Sequence, residues 1–171
     1  MIRLHLPDVA ATDAVGHALA DTQPERAIVF LHGDLGAGKS TLARAWLRAL
    51  GVTGAIRSPT YTLVEHYPLD DGGLALHLDL YRIAAPGELE FLALDDADVR
   101  LWLVEWPERG GDALPKADLD VWLELDGEGR NIGLVAGSPT GQAWLAGLVR
   151  NGVCSAFLPP DDRKMPQPSD K

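Results

Sequence analysis

The chain has 171 residues, 46% of them hydrophobic, and a formal net charge of −10. That size and apolar content suit one domain with one sizeable core, while the acidic balance argues against a broad nucleic-acid-binding surface without excluding a protein partner that holds RNA. The lone cysteine, Cys154, rules out an internal disulfide and any cysteine-based metal set.

The amino end, MIRLHLPDVA, lacks the apolar core of a signal peptide, and no apolar run is long enough to span a bilayer, so a soluble cytoplasmic setting is expected. Arg3 to Leu6 alternates like a short strand. Thr12 or Asp13 is the expected cap of a helix running to about Ala20, with Val15, Ala18 and Leu19 inward. Pro24 and Glu25 turn the chain into Ile28 to Leu31, an apolar run with the profile of a buried strand.

Next comes Gly33-Asp34-Leu35-Gly36-Ala37-Gly38-Lys39-Ser40, which fits G-x-x-x-x-G-K-[ST] at every fixed position. Thr41 to Leu50 then sets Leu42, Ala45, Trp46 and Ala49 on one helical face, with Arg44 and Arg48 on another. The glycines permit positive φ and close approach of backbone to ligand, so that successive N–H groups form an anion nest. A helix starting near Lys39 adds unpaired N–H groups and its dipole. Lys39 is expected to reach the β and γ phosphates of a nucleotide, and Ser40 to place its hydroxyl on a magnesium ion. A glycine-rich turn with an incidental lysine is the plain alternative; the strand before and the helix after argue against it. His5 and His17 stand isolated and read as surface or packing residues.

Beyond Gly51 and Gly54, the segment Ile56 to Tyr67 joins a Ser58-Pro59 turn signal to β-forming residues. Asp70-Asp71-Gly72-Gly73 predicts a hairpin between Thr60–Tyr67 and Leu74–Asp79. Ser58, Thr60 and Thr62 put hydroxyls where a crossing loop can sense a γ phosphate; a capped polar turn explains them equally. In Leu76 to Arg82, alternation places His77, Asp79 and Tyr81 on one face, with Asp79 near a strand end where a carboxylate can meet magnesium or its water. Arg82 follows within reach of a phosphate or an acid.

Pro86 to Leu94 suits a helix, and Asp95, Asp96 and Asp98 form a solvated acidic exit. Leu101 to Val104 has the character of a strand covered on both faces, and it ends in Glu105. A phosphate-loop enzyme needs an acid on a neighbouring strand end, beside the ion held by Ser40. Glu108 competes for that role, but Pro107 has already ended the strand, which favours Glu105. Trp102 reads as core, whereas Trp106 either packs beside nucleotide or seals the strand end. Asp118 to Leu125 and Asn131 to Ala136 read as an antiparallel hairpin at a sheet edge. Ser138-Pro139-Thr140 starts a last helix with Trp144, Leu145, Leu148 and Val149 inward. The domain is expected to span residues 1–158, with 159–171 a disordered tail.

Four segments together resemble the TsaE family, formerly YjeE, the bacterial ATPases of threonylcarbamoyladenosine tRNA modification. They are HGDLGAGKST at 32–41, SPTYTLVEHY at 58–67, HLDLYR at 77–82 and VEWPERG at 104–110. The loop is shared by many nucleotide enzymes; the HLDLYR and VEWPE segments are far more specific. The resemblance implies an α/β fold, a three-layer P-loop NTPase with a central mixed, mostly parallel sheet and an antiparallel hairpin. It implies that Gly33, Asp34, Leu35, Gly36, Ala37, Gly38, Lys39, Ser40 and Thr41 bind ATP, with Mg2+ as cofactor. Asp79 matches the family's aspartate, Glu105 its strand-end acid, and Trp106 its aromatic. Ser58-Pro59-Thr60 matches a switch near the nucleotide, with Tyr81 and Arg82 as further candidate contacts. Partners implied are the transferase that modifies adenosine 37 of ANN-decoding tRNAs (TsaD-like) and its non-catalytic paralogue (TsaB-like), with tRNA reached only through that complex and no membrane involved. Ser40 stands where threonine is common, and both carry the hydroxyl.

The mechanism expected from these parts is Mg-dependent ATP hydrolysis. Lys39 and the nest offset charge on the phosphoryl oxygens, Glu105 holds a magnesium water, and Asp79 either shares that shell or orients the attacking water. Arg82, Arg57 or a partner's residue remains open as an arginine finger. A small-molecule kinase would need an arginine-bearing lid, which is not evident, and a non-enzymatic nucleotide sensor is the third reading. A guanine-specific switch would want N-K-x-D, but Asn131 and Asn151 are followed by Ile and Gly.

Overall fold

The computed structural model describes residues 1–92, 94 and 98–158. The strands are β1 (Ile2–Leu6), β2 (Ala27–His32), β3 (Val64–Pro68), β4 (Leu74–Asp79), β5 (Val99–Glu105), β6 (Leu119–Asp126) and β7 (Gly129–Ala136). The helices are α1 (Val9–Thr22), α2 (Lys39–Ala49) and α3 (Pro139–Arg150). The strands form one sheet of order β1-β7-β6-β2-β5-β4-β3. The four central strands run parallel, and both margins are antiparallel. This is the α/β fold with a mixed sheet that the resemblance implied.

Strand β2 lies mid-sheet between β5 and β6, so its AIVFLH run is apolar on both faces. Val29 and Leu31 face α1, α2 and α3 across the larger core, which also holds Leu42, Trp46, Trp144 and Leu148. Phe30 points the other way, into a second core built on Leu76, Leu78, Leu80 and Val104. The 3-10 turn Pro86–Leu92 supplies Leu89 to that core, and Leu114, just after the 3-10 turn Gly111–Ala113, joins it. Ending β2 mid-sheet delivers the glycine loop to the carboxyl end of the parallel strands, the usual site of ligand binding in open α/β sheets.

Several expectations change. Asp8, not Thr12 or Asp13, caps α1: its Oδ1 accepts from the Ala11 amide at 2.8 Å, and Thr12 is fully buried. The exposed apolar Val9 had masked the first turn. Strand β3 starts at Val64, because Thr60 to Leu63 form a turn in which the Leu63 amide bonds to the Pro59 carbonyl and Leu63 takes φ 65°. The Pro86 segment is a 3-10 turn with only Leu89 buried, too sparse an apolar stripe to anchor an α-helix. Ala93, at the end of that expected helix, and Asp95, Asp96 and the 159–171 tail lie outside the described residues. The β6–β7 hairpin is not at an edge: β1 pairs beyond β7, and β6 pairs with β2. Val149 is 56% exposed, since the helical rotation past the buried Leu148 carries it off the inward face. Trp102 is half-buried and packs against the second core.

Candidate functional site

Between β2 and α2 the loop takes the conformation its glycines permit, with φ of 139° at Gly33, 82° at Gly36 and 103° at Gly38. Two of these positions have a second reason to be glycine. A Cβ on Gly33 would strike the Leu123 carbonyl oxygen of β6, and one on Gly38 would strike the Arg130 guanidinium. Gly38 caps α2 without a side-chain acceptor, so the helix presents its first amides to the loop's concave side.

Leu35, Gly36, Gly38, Lys39, Ser40 and Thr41 line one side of a cavity of about 200 Å³. Thr60, Asp79, Tyr81, Glu105 and Trp106 line the other. Asp79 and Glu105 are register partners at the ends of adjacent parallel strands β4 and β5. Both are buried. Sequence positions far apart thus meet because three parallel strands end together.

Glu105 Oε1 accepts from Ser40 Oγ at 2.7 Å and from His77 Nε2 at 2.8 Å. Asp79 Oδ2 accepts from Thr60 Oγ1 at 3.0 Å, and its Oδ1 from the Tyr81 amide at 3.0 Å. With Thr60 donating to Asp79, Ser58 Oγ, 2.8 Å from Thr60 Oγ1, donates to Thr60. The Ser58–Thr60 turn is therefore tied to one acid and the loop serine to the other. Glu108 is exposed and outside the cavity.

Lys39 is 4% exposed, and its Nζ donates to the loop carbonyls of Gly33 at 2.6 Å and Asp34 at 2.9 Å. The ammonium lies 4.2 Å from the Trp106 ring centroid, a cation–π contact. Burial pushes the Lys39 pKa below its ordinary 10.5, against the opposing pull of Glu105, Asp79, Glu108 and Asp34. Trp106 holds φ 57° and packs 5.0 Å from Tyr81. Among the described residues the non-glycine positions with positive φ are Leu63 and Trp106, which adjoin the Thr60 turn and the cavity, where such strain is commonly stored.

Not every expected residue converges. Ala37 is buried behind the loop, and Arg82 lies 4.5 Å over the exposed Tyr61 ring instead of addressing an acid. Thr62 bonds Glu65, and Arg57 brackets the Tyr67 hydroxyl through its backbone. Two residues were missed. His77 was placed on the Asp79 face with no role, and Arg130 was not singled out. Arg130 Nη1 donates to the Ala37 carbonyl at 3.4 Å, backing the loop from β7. No local spacing connects residue 130 to residue 37; only the sheet order does.

The oxygen donors Ser40, Glu105 and Asp79 are the hard ligands a magnesium ion takes. Among the described residues no group of three or more His, Cys, Asp or Glu forms a metal cage by itself.

The family model for threonylcarbamoyl adenosine biosynthesis protein TsaE matches residues 6–132. The chain belongs to the TsaE family. The tRNA threonylcarbamoyladenosine biosynthesis protein TsaE of Haemophilus influenzae is 46% identical over 121 residues, covering 69% of this chain and 76% of the relative. The Synechocystis protein of the same name is 45% identical over 111 residues, covering 61% and 69%. The crystal structure of Bacillus subtilis YdiB superimposes with a TM-score of 0.71 at 24% identity, covering 88% of this chain and 95% of that one, a likeness of fold. Among the described residues no helix of this TsaE-family chain is long and apolar enough to cross a membrane.

Proposed function

We propose that this protein is a cytoplasmic Mg-dependent ATPase that supports threonylcarbamoyladenosine modification of tRNA, acting with the transferase and its paralogue partner. The observation that carries the reading is the meeting of a phosphate-loop lysine, a loop serine and two strand-end carboxylates around one cavity. The names of the relatives supply the pathway.

The amides of Gly36 to Ser40 and the α2 amino end bind the β and γ phosphates. Lys39 exchanges its carbonyl partners, Gly33 and Asp34, for phosphate oxygens. The Ser40 hydroxyl donates its hydrogen to Glu105; Ser40 and Glu105 are the residues that would hold the magnesium ion, Ser40 through its oxygen and Glu105 through a water. A bound magnesium ion supplies charge neutralisation on the phosphate oxygens. Asp79, anchored through Thr60 and Ser58, orients the water that attacks the γ phosphorus as the bond to the β-phosphate oxygen breaks. ADP and inorganic phosphate result. Arg82 is held against Tyr61, so a partner's side chain completes the charge stabilisation. On this reading turnover is weak in the isolated protein and higher in the complex.

Phosphate release from ATP, measured with and without the two partner proteins and tRNA, tests the proposal. Stimulated release in the full mixture is expected. Phosphate transfer to a metabolite, or tight nucleotide binding with no turnover in any mixture, would replace it with the kinase or the sensor.

A further inference from the structure

His77 is a polar side chain in an apolar place. It sits on β4 in register with Leu103 and is 1% exposed. Its Nε2 meets Glu105 Oε1 at 2.8 Å, while its Nδ1 is buried with no partner among the described residues. The tautomer follows from the contact: an Nε2 lone pair would face a carboxylate lone pair, so Nε2 carries the hydrogen and donates. An unmatched Nδ1 is a cost of keeping imidazole here, and the bond to Glu105 is the interaction that offsets it.

Glu105 Oε1 therefore holds two donors, Ser40 from the loop and His77 from the sheet. The loop end belongs to a ligand-binding segment. The sheet end is a buried position on β4, 1% exposed. We infer that His77 is a positioning residue: its Nε2–H fixes the Glu105 carboxylate through one oxygen, leaving the other to serve the magnesium shell. The inference rests on the ATPase reading above and adds a residue to it.

Two substitutions separate the role of this N–H from that of the ring's bulk. In His77→Gln the amide nitrogen reaches about as far as Nε2; in His77→Asn it stops near the Nδ1 position. Full-length proteins are titrated by calorimetry with a non-hydrolysable ATP analogue, with and without MgCl2. The affinity gain on adding magnesium is expected to fall about tenfold or more in His77→Asn, the usual cost of losing a partner behind a metal ligand. Magnesium-free affinity should hold, and His77→Gln should recover most of the gain. Steady-state turnover should show kcat falling and KM for magnesium-bound ATP rising in His77→Asn, with His77→Gln close to wild type in both.

A full magnesium gain in His77→Asn overturns the inference. So does equal loss in both variants, or a parallel fall in magnesium-free affinity, which would mark a purely structural residue. If His77→Asn does not fold, His77→Gln decides alone: retained gain supports the role, and lost gain refutes it. A wild-type protein indifferent to magnesium would sink the ATPase reading itself; a responsive one matched by its His77→Asn variant would sink only the part given to His77.

Discussion

Lys39 shows how one side chain serves two states. Its ammonium is held by the carbonyls of Gly33 and Asp34 and by the Trp106 ring, contacts that a bound triphosphate would replace. Lys39→Ala is expected to weaken magnesium-free ATP affinity severely, while Asp79→Ala and Glu105→Ala keep most of that affinity and lose turnover. On the proposed reading the loop would make the ground-state phosphate contacts, and the acids would act on ion and water. Calorimetry and phosphate release on the three variants check this; equal loss of affinity in all three would refute the division. The lowered Lys39 pKa has its own sign. Below it, both folded and unfolded chains bind the proton, and folding bears the full cost of burying the charge. Between it and 10.5 the unfolded chain alone stays protonated, so wild-type stability should climb with pH there. Urea unfolding across that range should show the climb in wild type and not in Lys39→Met.

At the scale of elements, the contact between α1 and α2 sets where the phosphate loop ends. Gly16 on α1 lies against Ala45 on α2, and a Cβ at Gly16 would come within 2.8 Å of the Ala45 Cβ. Alanine has the better helix propensity by about 1 kcal/mol, but overpacking a rigid interface costs about 1–3 kcal/mol. Gly16→Ala is therefore expected to destabilise the fold, and adding Ala45→Gly should restore part of the loss. Chemical denaturation of the two single variants and the double measures that coupling; strict additivity would show that the helices simply move apart. Among the described residues sequence found every strand and α-helix, because their apolar periods are strong, but it also expected a helix from Pro86 where a 3-10 turn stands. It missed starts and stops where tertiary contacts intervene, as at Asp8, where a cap precedes an exposed Val9, and at Leu63, whose left-handed turn brings Thr60 to Asp79.

For the molecule as a whole, the net charge of −10 governs partners. Phosphate contacts dominate non-specific nucleic-acid affinity, and this surface repels them. The protein alone is expected to give no tRNA shift in a gel at physiological salt, and to join tRNA only when the transferase complex is added. Direct, salt-sensitive tRNA binding by the isolated chain would contradict that arrangement. The sheet also leaves a face of β6 open, where Trp122, 52% exposed, stacks on His32 at 4.0 Å, with His32 bonded to Asp120 at 2.7 Å.

The chain itself declared the strand–loop–helix, the acids at 79 and 105, and the family, because each is written in neighbouring residues or in short motifs. Local spacing carries that kind of information. It does not carry which strands lie side by side. The order β7-β6-β2-β5-β4 brings Ser40, Glu105 and His77 into one hydrogen-bonded set, sets Asp79 beside Glu105 in register, and places Arg130 behind the loop. Those relations arise from burying apolar strands on both faces of one sheet, a choice made by the whole core and not by any segment of it.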